Sequence, residues 1–130
     1  MPIITVTLPG QISDRTKAII SEEIVNITSR LLNKKEQVTV VKFMTGRADF
    51  FNLGKQSERV FPFDIEIKIT TATNNEDEKA EWIDAIWALM KMYFQTDDDF
   101  PCYISIIEVD GNNWGFNGVT QRNRALANQK

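Results

Sequence analysis

Pro2-Ile3-Ile4-Thr5-Val6-Thr7-Leu8 decides the reading of this chain. Ile4, Val6 and Leu8 alternate with Ile3, Thr5 and Thr7, the period-two pattern of a strand with one apolar face. Pro9-Gly10 punctuates its end. A small residue after Met1 permits removal of the initiator methionine, which leaves Pro2 with a free secondary amine. A free α-amino group titrates at about 7.7–8.0 and burial lowers that value, so this nitrogen is a candidate base or nucleophile near neutral pH.

The next segments pair with that strand. A helix is expected from Ser13 or Asp14 to Asn33, because Ile20, Ile24, Ile27 and Leu31 draw one stripe. Ser13 or Asp14 can cap its start, and Lys34 and Lys35 lie where the helix dipole favours cations. Gln37 to Met44, rich in valine, reads as a second strand. Residues 1–44 therefore form a β–α–β unit, whose long crossover allows parallel strands. Residues 45–62 read as a connecting loop broken by Gly46, Gly54 and Pro62. It carries Arg47, Asp49, Phe50, Phe51 and Arg59, and a loop of this length often has a role. Its two adjacent phenylalanines point to cover by another subunit.

The pattern then repeats. Phe63 to Thr70 alternates, with Ile65, Ile67 and Ile69 opposite Asp64, Glu66 and Lys68. Asn75-Glu76-Asp77-Glu78 has the form of a capping box. The helix it opens is expected to reach about Gln95. Ile83, Trp87, Met90 and Phe94 make one stripe; Trp82, Ile86, Leu89 and Tyr93 make its neighbour. Tyr103 to Val109 is a fourth strand. Asp110 to Gly118 reads as a tight turn and a short hairpin, and Gln121 to Lys130 as a polar, mobile tail. The expected fold is α/β, built as a two-layer sandwich: tandem β–α–β units, a four-stranded mixed sheet, and two helices on one face. The chain is expected to be a single domain over residues 1–130, with the second repeat and its hairpin at 63–120.

Composition narrows the chemistry. The chain has 130 residues, 42% of them hydrophobic, enough for one cored domain. A net charge of −3 argues against a nucleic-acid partner. No apolar run is long enough for a membrane span, and the start lacks the regions of a signal peptide. The single cysteine, Cys102, forms no internal disulfide, and a cytoplasmic location is expected. The absence of histidine removes the commonest general base, the triads that need one, and most zinc sites. Asp97-Asp98-Asp99 has no calcium-loop spacing. No metal and no cofactor are expected, so acid–base chemistry falls to carboxylates, tyrosine, lysine or the amino terminus.

Three features together resemble the tautomerase superfamily, the group of 4-oxalocrotonate tautomerase, malonate semialdehyde decarboxylase and macrophage migration inhibitory factor. They are Met1-Pro2-Ile3-Ile4, the two β–α–β halves, and Ile107 to Gly118, with its Glu108-Val109 and Trp114-Gly115. The size resembles the fused members, in which one chain holds two copies of a short subunit. The resemblance implies a homotrimer with strands meeting around a central barrel and the amino-terminal proline at the floor of each site. It implies Pro2 as general base, a small carboxylate-bearing substrate such as a 2-oxo acid, and Trp114 and Phe116 as aromatic walls.

The sequence departs from the family where cations usually hold the carboxylate. Gln11 follows Gly10, Thr73-Asn74 occupies the equivalent turn of the second half, and Thr39 and Tyr103 fill a third position. Arg47 is the candidate replacement clamp, Phe50 a neighbouring wall, and Tyr103 a candidate hydrogen-bond donor to an enolate oxygen. The expected activity is keto–enol tautomerisation. A hydratase or decarboxylase of the same superfamily, and a binding homologue without catalysis, are the alternatives.

Overall fold

A computed structural model describes residues 2–57, 60–97 and 99–128. Strand β1, Ile3–Thr7, lies in the middle of an open four-stranded sheet of order β2-β1-β5-β6. Strand β2, Val40–Met44, runs parallel to it, with Ile3 opposite Val40 and Thr7 opposite Met44. Strand β5, Asp64–Thr70, runs antiparallel, with Ile3 opposite Lys68 and Thr7 opposite Asp64. Strand β6, Tyr103–Val109, is parallel to β5, with Tyr103 opposite Asp64 and Ile107 opposite Lys68. Both expected β–α–β units are thus present, and their two first strands join them. The sheet does not close into a barrel within the chain, which leaves β2 and β6 as edges.

One face of the sheet is the core. Ile4, Val6, Leu8, Ile65, Ile67 and Ile69 are buried on it. Helix α1, Asp14–Leu32, covers it with Ile20, Ile24, Thr28 and Leu32. Its start is capped by the Ser13 hydroxyl, which accepts from Thr16 N–H at 3.1 Å. Helix α2, Glu76–Tyr93, adds Trp82, Ile86, Leu89 and Met90. The Asn75–Glu78 capping box forms in both directions. Trp82 joins the helices: its indole N–H donates to the Thr28 hydroxyl at 3.0 Å, which itself donates to the Ile24 carbonyl at 2.7 Å. The opposite face carries Thr5, Thr7, Lys42, Asp64, Glu66 and Lys68, interleaved with exposed Val40, Met44, Tyr103 and Ile107. Among the described residues no helix is long and apolar enough to cross a membrane.

Four expectations need correction. The 45–62 loop is not featureless: strands β3, Phe51–Asn52, and β4, Lys55–Gln56, form a hairpin within it. The second strand starts at Val40 rather than Gln37, because Glu36–Val38 winds into a 3-10 turn that the Thr39 hydroxyl closes on the Lys35 carbonyl at 2.6 Å. Helix α2 ends at Tyr93, where Phe94 turns away to stack on Phe61 with ring centroids 4.9 Å apart. The tail is ordered over Gln121–Ala127 as helix α3, whose start is capped by the Thr120 hydroxyl, which accepts from Asn123 N–H at 3.1 Å. Strands β7, Gly115–Phe116, and β8, Val119–Thr120, precede it as the expected hairpin.

Candidate active site at the start of the first strand

Pro2 is buried, and its carbonyl accepts from Val40 N–H at 3.2 Å. The sheet pairing of β1 and β2 therefore fixes where the nitrogen of residue 2 lies. Pro2 borders a cavity of about 340 Å³ whose other walls include Val38, Val40, Trp114, Phe116 and Asn117. A larger hollow of about 820 Å³ lies elsewhere, beside Leu53, Lys55, Asp97 and Phe100. The smaller cavity is the candidate because it joins a buried proline to an aromatic wall.

The wall is built locally. Asn117 and Gly118 have φ of 49° and 85°, the left-handed pair that a tight two-residue hairpin loop requires. Gly115 has no alternative, since a Cβ there would stand 2.1 Å from the Val119 carbonyl oxygen. Trp114 is held from two sides: its indole N–H donates to the Thr70 hydroxyl at 3.1 Å, and its carbonyl accepts from Gln121 N–H at 3.0 Å. Phe116 packs under Arg124, whose guanidinium carbon is 3.7 Å from the ring centroid.

Charge gathers near the same end of the sheet. Lys34 leaves the end of α1 and donates from its ammonium to the Thr73 hydroxyl at 2.9 Å. Burial pushes its pKa below 10.5, with Glu78 and Glu108 pulling the other way. Glu108 is held below the ordinary value of 4.5, first by the Lys79 ammonium that donates to it and then by the N–H of Ala72. None of the side chains lining the Pro2 cavity is basic.

The structure brings Pro2, Trp114 and Phe116 together and separates Tyr103, Arg47 and Phe50 from them. The row Met44–Thr7–Asp64–Tyr103 lies four residues along the strands from the row Val40–Ile3–Lys68–Ile107. At about 3.3 Å per residue the two ends are roughly 13 Å apart. Tyr103 is at the end remote from Pro2, and Arg47 and Phe50 follow Met44 in the loop that leaves it. Two residues escaped the sequence reading. Lys34 was legible only as a helix-end cation, although it stands three residues before the cavity-lining Gln37. Arg124 lay in the supposed mobile tail.

No family model and no curated protein sequence matches the chain. Solved structures do. A macrophage migration inhibitory factor-like protein from Entamoeba histolytica superposes with a TM-score of 0.73 at 22% identity, over 92% of this chain and 97% of that one. A fused 4-OT solved as an asymmetric trimer gives 0.78 at 14% identity, over 94% and 98%. FG41 malonate semialdehyde decarboxylase, inhibited by 3-bromopropiolate, gives 0.71 at 15% identity, over 96% of each chain. All three are tautomerase-superfamily proteins, and the fold of this chain is theirs.

Proposed function

We propose that the chain is an isomerase of the tautomerase type, acting on a small 2-oxo acid with Pro2, freed of Met1, as general base. The observation that carries this reading is the buried Pro2 at the foot of a cavity walled by Trp114 and Phe116. The shared fold supports it. In the enolising direction the Pro2 nitrogen takes a proton from the carbon beside the substrate carbonyl, and the electron pair moves onto the carbonyl oxygen. Protonation of that oxygen gives the enol. Ketonisation returns the proton from the prolinium to carbon. The test is ketonisation of phenylenolpyruvate, followed by ultraviolet absorbance, on protein whose mass shows Met1 removed. Turnover no faster than buffer overturns the proposal.

Lys34 is the cation proposed to attract the substrate carboxylate. It is half-buried at the Pro2 end and donates to the Thr73 hydroxyl, with the carboxylates of Glu78 and Glu108 also acting on it. Lys34→Met is expected to raise KM for phenylenolpyruvate about tenfold while kcat changes little, the signature of lost ground-state binding. An unchanged KM would remove Lys34 from the site.

The functional unit is proposed to be a homotrimer. Two open sheet edges and a face bearing Val40, Met44 and Tyr103, each more than half exposed, support assembly with further copies. Tyr103, Arg47 and Phe50 would reach a Pro2 site only from an adjoining subunit. Sedimentation equilibrium should return three times the chain mass of 14.9 kDa; a monomer at micromolar concentration would exclude this arrangement. One observation favours the rival reading, a binding homologue without turnover: the cavity lining itself holds no cation.

A further inference from the structure

We propose that Arg124 is a positioning residue for the Pro2 cavity, holding its Phe116 wall by ring and carbonyl at once. The kinetic part of this inference rests on the isomerase reading; the structural part does not. The guanidinium carbon lies 3.7 Å from the Phe116 ring centroid, and Nη2 donates to the Phe116 carbonyl at 2.9 Å. Nε is buried without an acceptor among the described residues. The ion pairs among those residues are Lys17–Asp14 and Lys79–Glu108, so no carboxylate holds Arg124. A surface arginine kept for charge or solubility ordinarily keeps its head group in water. This one is half-buried, and both of its contacts go to one residue. Phe116 lines the cavity and Arg124 does not, so the arginine acts through the aromatic ring.

The arrangement meets a physical need. The β7–β8 hairpin has two residue pairs, too few to hold its own shape in water. Helix α3 supplies the missing restraint twice. At its start Gln121 N–H fixes the Trp114 carbonyl at 3.0 Å, and one turn later Arg124 fixes Phe116. The two aromatic walls of the cavity are therefore tied to the same short helix.

Arg124→Leu is expected to raise KM for phenylenolpyruvate about tenfold, with kcat changed less than about threefold, the scale of one charge–ring contact. Partial unfolding would do the reverse, lowering apparent kcat and leaving KM alone. Arg124→Lys keeps a cation able to reach both ring and carbonyl, and should return KM to within about threefold of the parent. In a Phe116→Leu background, Arg124→Leu should add nothing to KM. A readout independent of turnover is amide exchange over residues 115–120, followed by mass spectrometry. It should run about tenfold faster in the leucine variant and near the parent rate in the lysine variant. Unchanged exchange overturns the proposal, as does a less stable leucine variant whose KM has not moved. If the parent protein shows no turnover, the isomerase reading fails and exchange alone decides the role of Arg124. If the leucine variant does not fold, Arg124→Gln takes its place in every measurement.

Discussion

Pro2→Ala is expected to cut phenylenolpyruvate ketonisation by about a hundredfold in kcat/KM, the low end of what a positioned general base contributes. Alanine is also small enough to permit Met1 removal, so the variant presents a primary amine at the same place in the chain. The comparison thus separates the ring amine from the mere presence of an amino terminus. The pyrrolidine ring locks φ of residue 2, and the Pro2 carbonyl is pinned by Val40 N–H at 3.2 Å, so the nitrogen of proline has one direction in which to point. Alanine restores rotation about that bond and loses the ring's packing against the cavity. Equal turnover in parent and variant would mean that Pro2 is not the base, and would move weight to the binding reading. A fall confined to kcat would place the loss in proton transfer; a rise confined to KM would place it in the shape of the pocket.

Trp82→Ala should cost about 3–5 kcal/mol of folding stability, read from urea denaturation monitored by far-ultraviolet circular dichroism. Trp82 is fully buried and stands where both helices meet the sheet. Its truncation opens a large void in the core cluster it shares with Ile24 and Ile86, and removes the hydrogen bond to Thr28. The Thr28 hydroxyl still donates to the Ile24 carbonyl, so it loses a donor and not its whole hydrogen bonding. That distinction gives the second arm. Thr28→Val keeps the volume and strands the indole N–H, and should cost about 1–3 kcal/mol by itself. A Trp82→Ala cost below 1 kcal/mol would show that the helices hold their positions without this residue.

Where side chains alternate or recur at helical spacing, the fold was legible. Ile4-x-Val6-x-Leu8 and Ile65-x-Ile67-x-Ile69 point their apolar sets one way whatever the rest of the chain does, and Asn75 with Glu78 marks a helix start by its own hydrogen bonds. The elements that could not be read are those made by tertiary contact. The hairpin at 51–56 turns through Leu53 and Gly54, at φ of 52° and 75°, and leucine is no signal for a left-handed turn. Helix α3 has no apolar stripe; docking at Trp114 and Phe116 decides it, and neither partner is near in sequence periodicity. The same holds for the site. Pro2, Trp114 and Phe116 were readable as types, but which of the candidate polar residues stand beside them depends on strand register. Tyr103 and Arg47 lie at the far end because β6 and β2 begin and end where they do.

The duplication has an arithmetic consequence. Pro62 is buried just ahead of β5, as Pro2 is ahead of β1, yet its nitrogen is bonded to the carbonyl of Phe61 and carries no usable lone pair. Two half-chains that look alike in outline are chemically unequal: on the proposed reading only the first, once Met1 is removed, presents a proline amine. An electrophile directed at that nitrogen should therefore saturate at one equivalent per polypeptide, half the number that two free short subunits would accept.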